Sequence, residues 1–319
     1  MQTNQNNNKP KNSFTWICLT IIGTLLIQAC TAPVNTRPTP NLPTPEPVAD
    51  VELPWQPLYE LVDQELQEKL SLALESKPHW KKLVDRKKLA VGVIDMSTTP
   101  PRFARVNGNV MMYAASLPKI AIMFAAYASF EDGSLIETPE IHADLVDMIR
   151  VSSNTSATRV LNLVGIEKVE QVLTDPKYGL YDEERGGGLW VGRAYASAGE
   201  RHGDPINNIS HGATATQVCR FYYLLANGRL IDQHRSEQML ADLSDPQINH
   251  KFVNQLNQLA PNAELFRKSG TWRNFHSDSV MVRGKKWRNY ILVAMVESEK
   301  GGEIIKNILP AVETILQEK

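Results

Sequence analysis

Strand signals cluster at the two ends of the globular part of this chain, and helical periodicity fills the space between them. Leu89–Asp95 reads as a buried strand, and Phe103–Val106 as a shorter one after a proline-rich turn. Near the other end Leu265–Lys268, Ser277–Arg283 and Trp287–Val296 read as three more, with Gly284-Lys285-Lys286 marking a hairpin. Apolar spacing predicts helices over Ser116–Phe130, Thr138–Arg150, Asn154–Val164, Ile166–Leu173, Ala213–Ala226, Ser236–Leu243 and His250–Leu259. A helix within Trp55–Leu74 opens the domain, and Ile304–Gln317 closes it. Strands so far apart in sequence bury their faces by joining. The expected fold class is therefore α/β of the α+β kind: one antiparallel sheet flanked by the terminal helices, beside an all-α lobe. The cleft between the lobes is the expected place for chemistry. Residues 182–210 show no clear period and many glycines, as a functional loop does.

The first fifty of the 319 residues do not belong to that domain. Lys9 and Lys11 precede an apolar run from Phe14 to Ile27, which is short for a membrane span and suits a signal peptide over residues 1–29. The run ends in Leu26-Ile27-Gln28-Ala29-Cys30, which resembles the lipobox of bacterial lipoproteins, and so marks Cys30 for lipidation. Residues 30–50 are rich in Pro and Thr and poor in bulky apolar side chains, so they read as a tether. The expectation is an exported protein held to a membrane by its lipid and facing the periplasm or the cell exterior, with its domain over residues 51–319.

A net charge of −1 without a basic stripe argues against nucleic acid as a partner. Cys18 leaves with the signal and Cys30 carries lipid, so Cys219 is alone and no disulfide framework is available. Its apolar helical setting makes Cys219 a small buried hydrophobe. His202, His211, His250 and His276 lack metal-ligand spacing, and Gly186-Gly187-Gly188 lacks the context of a phosphate loop. No metal or organic cofactor is expected, and the chain reads as a monomer.

Three short motifs carry the chemistry. In Ser116-Leu117-Pro118-Lys119 a serine at a helix start faces a lysine on the same helical face, and a lysine kept neutral by burial can take the serine's proton. Such a pattern arises by chance about once in a chain of this length. Ser152-Ser153-Asn154 lies between two helices; Ser152 can relay a proton, while the Asn154 amide can hold a substrate carbonyl and the Lys119 ammonium. Alone it would be a helix cap. Lys268-Ser269-Gly270-Thr271 ends a strand, where the lysine raises the potential, Ser269 and Thr271 can bind a carboxylate, and Gly270 admits a close approach. Their order and placement together exceed what the separate explanations cover.

With these motifs, and with the run Met148–Ala157 and the pair Gly203-Asp204, the sequence from Leu89 onward resembles the class A β-lactamases and penicillin-binding serine hydrolases. The resemblance implies Ser116 as nucleophile, Lys119 as proton acceptor, Ser152 as proton shuttle, and Lys268 with Ser269 as carboxylate anchors. It also implies an oxyanion hole from the N–H groups of Ser116 and Thr271, and the β-lactamase/transpeptidase-like fold. Two departures stand out. Ser153 replaces the family's usual aspartate, and the stretch Gly192–Asp204 lacks the Glu-x-x-Leu-Asn segment whose glutamate activates the deacylating water. Glu200 and Glu184 are the substitutes at hand, and Arg273 and His276 those for a basic residue on the following strand. The substrate implied is a β-lactam. A D-Ala-D-Ala carboxypeptidase acting on peptidoglycan stems, or a binder that does not turn its ligand over, would use the same residues.

Overall fold

The computed structural model describes residues 55–196 and 199–318; the segments expected to be signal peptide and tether, with Cys30, lie outside them. A 3-10 turn at Leu58–Leu61 precedes α1 (Gln64–Glu75). The helix expected within Trp55–Leu74 is thus broken at Asp63, whose carboxylate accepts the Leu66 N–H at 2.8 Å and caps α1. Next comes α2 (Pro78–Asp85), which the apolar spacing did not reveal; its proline sits in the first turn, where no N–H is needed.

Then follow β1 (Leu89–Asp95), β2 (Arg102–Val106) and β3 (Met112–Tyr113). The helical lobe contributes α3 (Lys119–Glu131), α4 (Pro139–Arg150), α5 (Asn154–Val164) and α6 (Ile166–Thr174). Short strands border and interrupt the segment read as a loop: β4 (Tyr181–Asp182) at its start, β5 (Gly187–Gly188) and β6 (Trp190–Val191) within it, and β7 (His211–Ala213) just after it. After them come α7 (Ala215–Ala226), α8 (Gln233–Leu243) and α9 (Phe252–Leu259). The chain ends with β8 (Glu264–Trp272), β9 (Phe275–Arg283), β10 (Asn289–Glu297) and α10 (Gly301–Gln317).

The five long strands form one antiparallel sheet in the order β2-β1-β10-β9-β8, so the early and late strands do meet. Leu89 pairs with Val296 and Asp95 with Tyr290. Period-two alternation divides the side chains between two cores. Val91, Val93, Leu292 and Ala294 pack with Leu70 of α1 and Ile308 of α10, whereas Ile94, Ile291, Val293 and Met295 join the core of the helical lobe. Helix α7 lies close under that second face. A Cβ on Gly92 would stand 2.7 Å from the Cys219 sulfur, so only glycine admits the helix. Cys219 is fully buried, and burial pushes its thiol far above the usual range. Among the described residues no helix is long and apolar enough to cross a membrane.

The late strands are longer than their apolar cores implied. β8 runs on to Trp272, so Lys268–Thr271 lies within a strand instead of ending one. Paired with it, β9 supplies Asp278, which is fully buried and accepts from Arg267 Nε at 2.7 Å and Nη2 at 3.1 Å. Asp278 also accepts the Phe252 N–H at 3.1 Å, joining the start of α9 to both strands.

Candidate active site

Ser116 stands where strand β3 gives way to helix α3. Three contacts fix the segment before it. Ala114 N–H donates to His211 O at 2.8 Å, the Ser277 hydroxyl donates to Ala114 O at 2.7 Å, and the Tyr195 hydroxyl donates to Ala115 O at 3.2 Å. Ala115 is held at φ +52°, a conformation a non-glycine residue rarely adopts, and strain of this kind collects at functional sites. Helix α3 begins at Lys119, not at Ser116, because Pro118 occupies the cap; Lys119 N–H still bonds Ser116 O at 3.3 Å in a tight first turn. The serine therefore sits just ahead of the positive helix end, half-buried, with the lysine behind it.

Lys119 is fully buried because α3 runs through the middle of its lobe. Its ammonium donates to Ser152 O at 2.6 Å and Asn154 Oδ1 at 2.8 Å, and lies 3.5 Å from Ser152 Oγ. None of these partners is a carboxylate, so burial prevails and lowers the group to about 7. Ser152 has φ +61°, which turns its carbonyl toward this ammonium. The neighbouring Ser153 does act as a helix cap, accepting the Ser156 N–H at 3.1 Å.

From the other side, Lys268 Nζ donates to Ser152 Oγ at 2.8 Å and to Ser269 O at 3.0 Å. Lys268 is buried as well; burial first, then the Lys119 and Arg267 charges, hold it well below its ordinary value. All three sequence motifs thus converge on the Ser152 hydroxyl. Gly270 brings β8 against the serine segment, where a Cβ would fall 2.2 Å from Ala114 O and 2.7 Å from Ser116 N.

The cleft above these groups encloses about 450 Å³ and is lined by Ser116, Asn154, Tyr195, His211, Thr271 and Trp272 among others. No carboxylate lines it among the described residues. Glu200 is exposed, with His202 4.0 Å away, and Glu184 lines a separate cavity with Tyr59 and Arg185. Arg273 places its guanidinium 4.4 Å over the ring of Trp272, a cleft residue, without itself lining the cleft. His276 lies against Gly301 and lines a different cavity behind Thr271. None of these four residues is among those that line the Ser116 cleft.

Two cleft residues carried no motif. Tyr195 places its ring 4.7 Å from the Lys119 ammonium and, tilted, 4.4 Å from the ring of His211. His211 is buried, with Nε2 3.0 Å from Arg193 O and Nδ1 3.2 Å from Ser210 Oγ; burial lowers it to about 4, so it is neutral near pH 7. The loop that delivers Tyr195 is anchored by Asp204, which accepts from the Tyr181 hydroxyl at 3.0 Å and the Asn207 and Ile209 N–H groups at 2.9 and 2.6 Å.

An antiparallel sheet beside a helical lobe, with a serine and two buried lysines at their junction, defines the fold of the serine β-lactamases and their penicillin-binding relatives. Solved structures agree. A β-lactamase from Sphaerobacter thermophilus superposes with a TM-score of 0.59 at 15% identity, over 78% of this chain and 95% of that one. PBP-A gives 0.60 at 15% identity over 81% and 98%, and a class A β-lactamase from Bacteroides cellulosilyticus gives 0.58 at 15% over 81% and 100%. No curated protein matches the sequence. The family model described as the beta-lactamase enzyme family matches residues 140–317, more than half the chain, and the chain belongs to that family. The matched span contains Ser152, Asn154 and Lys268–Thr271, while Ser116 and Lys119 precede it.

Proposed function

We propose that this protein is a serine hydrolase that forms an acyl-enzyme with β-lactam-type cyclic amides through Ser116. One observation carries the proposal: Lys119 is buried with no carboxylate partner among the described residues, beside Ser152 and next to the serine's turn. A neutral Lys119 accepts the Ser116 proton as Oγ attacks the amide carbonyl. Charge that develops on the carbonyl oxygen meets the Ser116 and Thr271 N–H groups. When the C–N bond breaks, the leaving nitrogen takes the Ser152 proton, and Ser152 regains one from the lysines on either side. Ser269 and Thr271 hold the substrate's carboxylate, with Lys268 supplying positive potential.

Hydrolysis of the resulting ester needs a base for water, and the cleft offers none of the expected kind. Tyr195 lies over Lys119, and both ring nitrogens of His211 are engaged. The adduct is therefore expected to persist, as in a penicillin-binding protein; a solved variant of PBP-A was captured as an acyl-enzyme with penicillin G. This favours, as a second reading, a D-Ala-D-Ala carboxypeptidase with the same residues, whose slow step is release of a penicillin mimic. We further propose that Cys30 carries lipid and tethers the domain to the outer face of a membrane.

Time-resolved intact-protein mass spectrometry of the full chain with a simple penicillin tests the proposal. An adduct lasting minutes is expected. One that vanishes within seconds would reveal a base and an efficient β-lactamase, and no adduct at all would overturn the proposal.

A further inference from the structure

Thr271 stands between two cavities: the Ser116 cleft on one side, and on the other a space of about 320 Å³ lined by His250, Lys251, Asn254, His276 and Lys306 among others. Lys251 closes the wall between them. It is 5% exposed, and its backbone has φ +52° and ψ −122°, a conformation that costs free energy for any residue with a Cβ. Each of its three ammonium protons has an acceptor on the two late strands. Nζ donates to Gly270 O at 2.7 Å, to Thr271 Oγ1 at 2.8 Å and to Ser277 O at 3.0 Å. Among the described residues no carboxylate bonds it, and the nearby Asp278 is already engaged by Arg267 and the Phe252 N–H.

An ammonium only donates, so Thr271 Oγ1 must accept from Lys251, and the hydroxyl proton of Thr271 is left free to point into the cleft. The charge behind the oxygen makes that proton a better donor and adds positive potential one hydroxyl away from an anionic substrate. Lys268 adds its own potential but already donates two of its three protons to Ser152 Oγ and Ser269 O. We infer that Lys251 is a positioning residue for substrate carboxylates: from behind the sheet it fixes and polarises the Thr271 hydroxyl that receives them. Resting on the acyl-enzyme reading above, this places the selectivity for anionic substrates partly outside the cleft.

The test compares acylation of the full chain by benzylpenicillin and by its uncharged methyl ester, followed by intact mass. In Lys251→Met the ratio of the two rates should fall by about tenfold, the size expected for one hydrogen bond to a charged group. Thr271→Val should lower the ratio similarly, and the double variant no further than the larger single loss. An equal fall with both compounds in Lys251→Met would show a merely structural lysine and overturn the inference. So would an unchanged ratio in Thr271→Val, which does not depend on the Lys251 variant folding, or losses that multiply in the double variant. Absence of any adduct in the unaltered protein is a separate result, sinking the acyl-enzyme reading itself.

Discussion

At the scale of single residues, the site is a problem in the solvation of two lysines. Neither Lys119 nor Lys268 has a carboxylate among its hydrogen-bond partners, and both are held in a low-polarity interior. The neutral form of Lys119 is the one that accepts a proton, and burial has brought its loss of charge to about 7. Acylation should therefore be slow below that pH, rise about tenfold per unit as pH approaches 7 from below, and level off above it. A rate that falls with rising pH across this window would deny Lys119 the role of base. Ser116→Ala should abolish any covalent adduct while leaving thermal stability within about 0.5 kcal/mol, since a half-buried hydroxyl with no other evident duty is lost. That Lys119 follows Ser116 by one tight turn was legible in the sequence, because three residues of spacing set it. Tyr195 and His211 were not, since nothing in an aperiodic loop says which of its side chains will turn inward.

At the scale of elements, what matters is how closely β8 passes the serine segment and what the loop before α7 brings with it. Gly270→Ala would force a Cβ to within 2.2 Å of the Ala114 carbonyl. The strand must shift, at about 1–3 kcal/mol of stability, and acylation should fall on the order of a hundredfold as the oxyanion donors separate. Thermal melting and acylation kinetics on one sample check both halves. Tyr195→Glu would put a carboxylate near Lys119, where water could be activated; the adduct's lifetime should shorten on the order of a hundredfold. An unchanged lifetime would mean that the missing base is not what holds the adduct. Strands and helices with strong periodicity were legible to within a few residues: β1 spans Leu89–Asp95 as its apolar run predicts, and α5 Asn154–Val164 likewise. Helix starts shifted where a cap decided them, as at Asp63, Pro118 and Thr214, and β8 lengthened because its pairing with β9 continues past the apolar run to Trp272, which local composition cannot announce.

Across the whole molecule, the sheet is the frame of the site, and it carries a buried ion pair between its edge strand β8 and the neighbouring β9. Asp278 and Arg267 form an ion pair with almost no exposure, and Asp278 also holds the start of α9. Asp278→Ala would strand a buried guanidinium and should cost about 3–5 kcal/mol, read as a lowered midpoint in denaturant. A loss below about 1 kcal/mol would show that water reaches this pair.

Pairing of the first long strand with the last has a consequence in time. Gly92 faces Val293, so a ribosome adding about 5–20 residues per second leaves β1 without its partner for about 10–40 seconds. Through that interval the central sheet cannot close. The same separation makes closure a late, non-local event that sets the pace of folding after release.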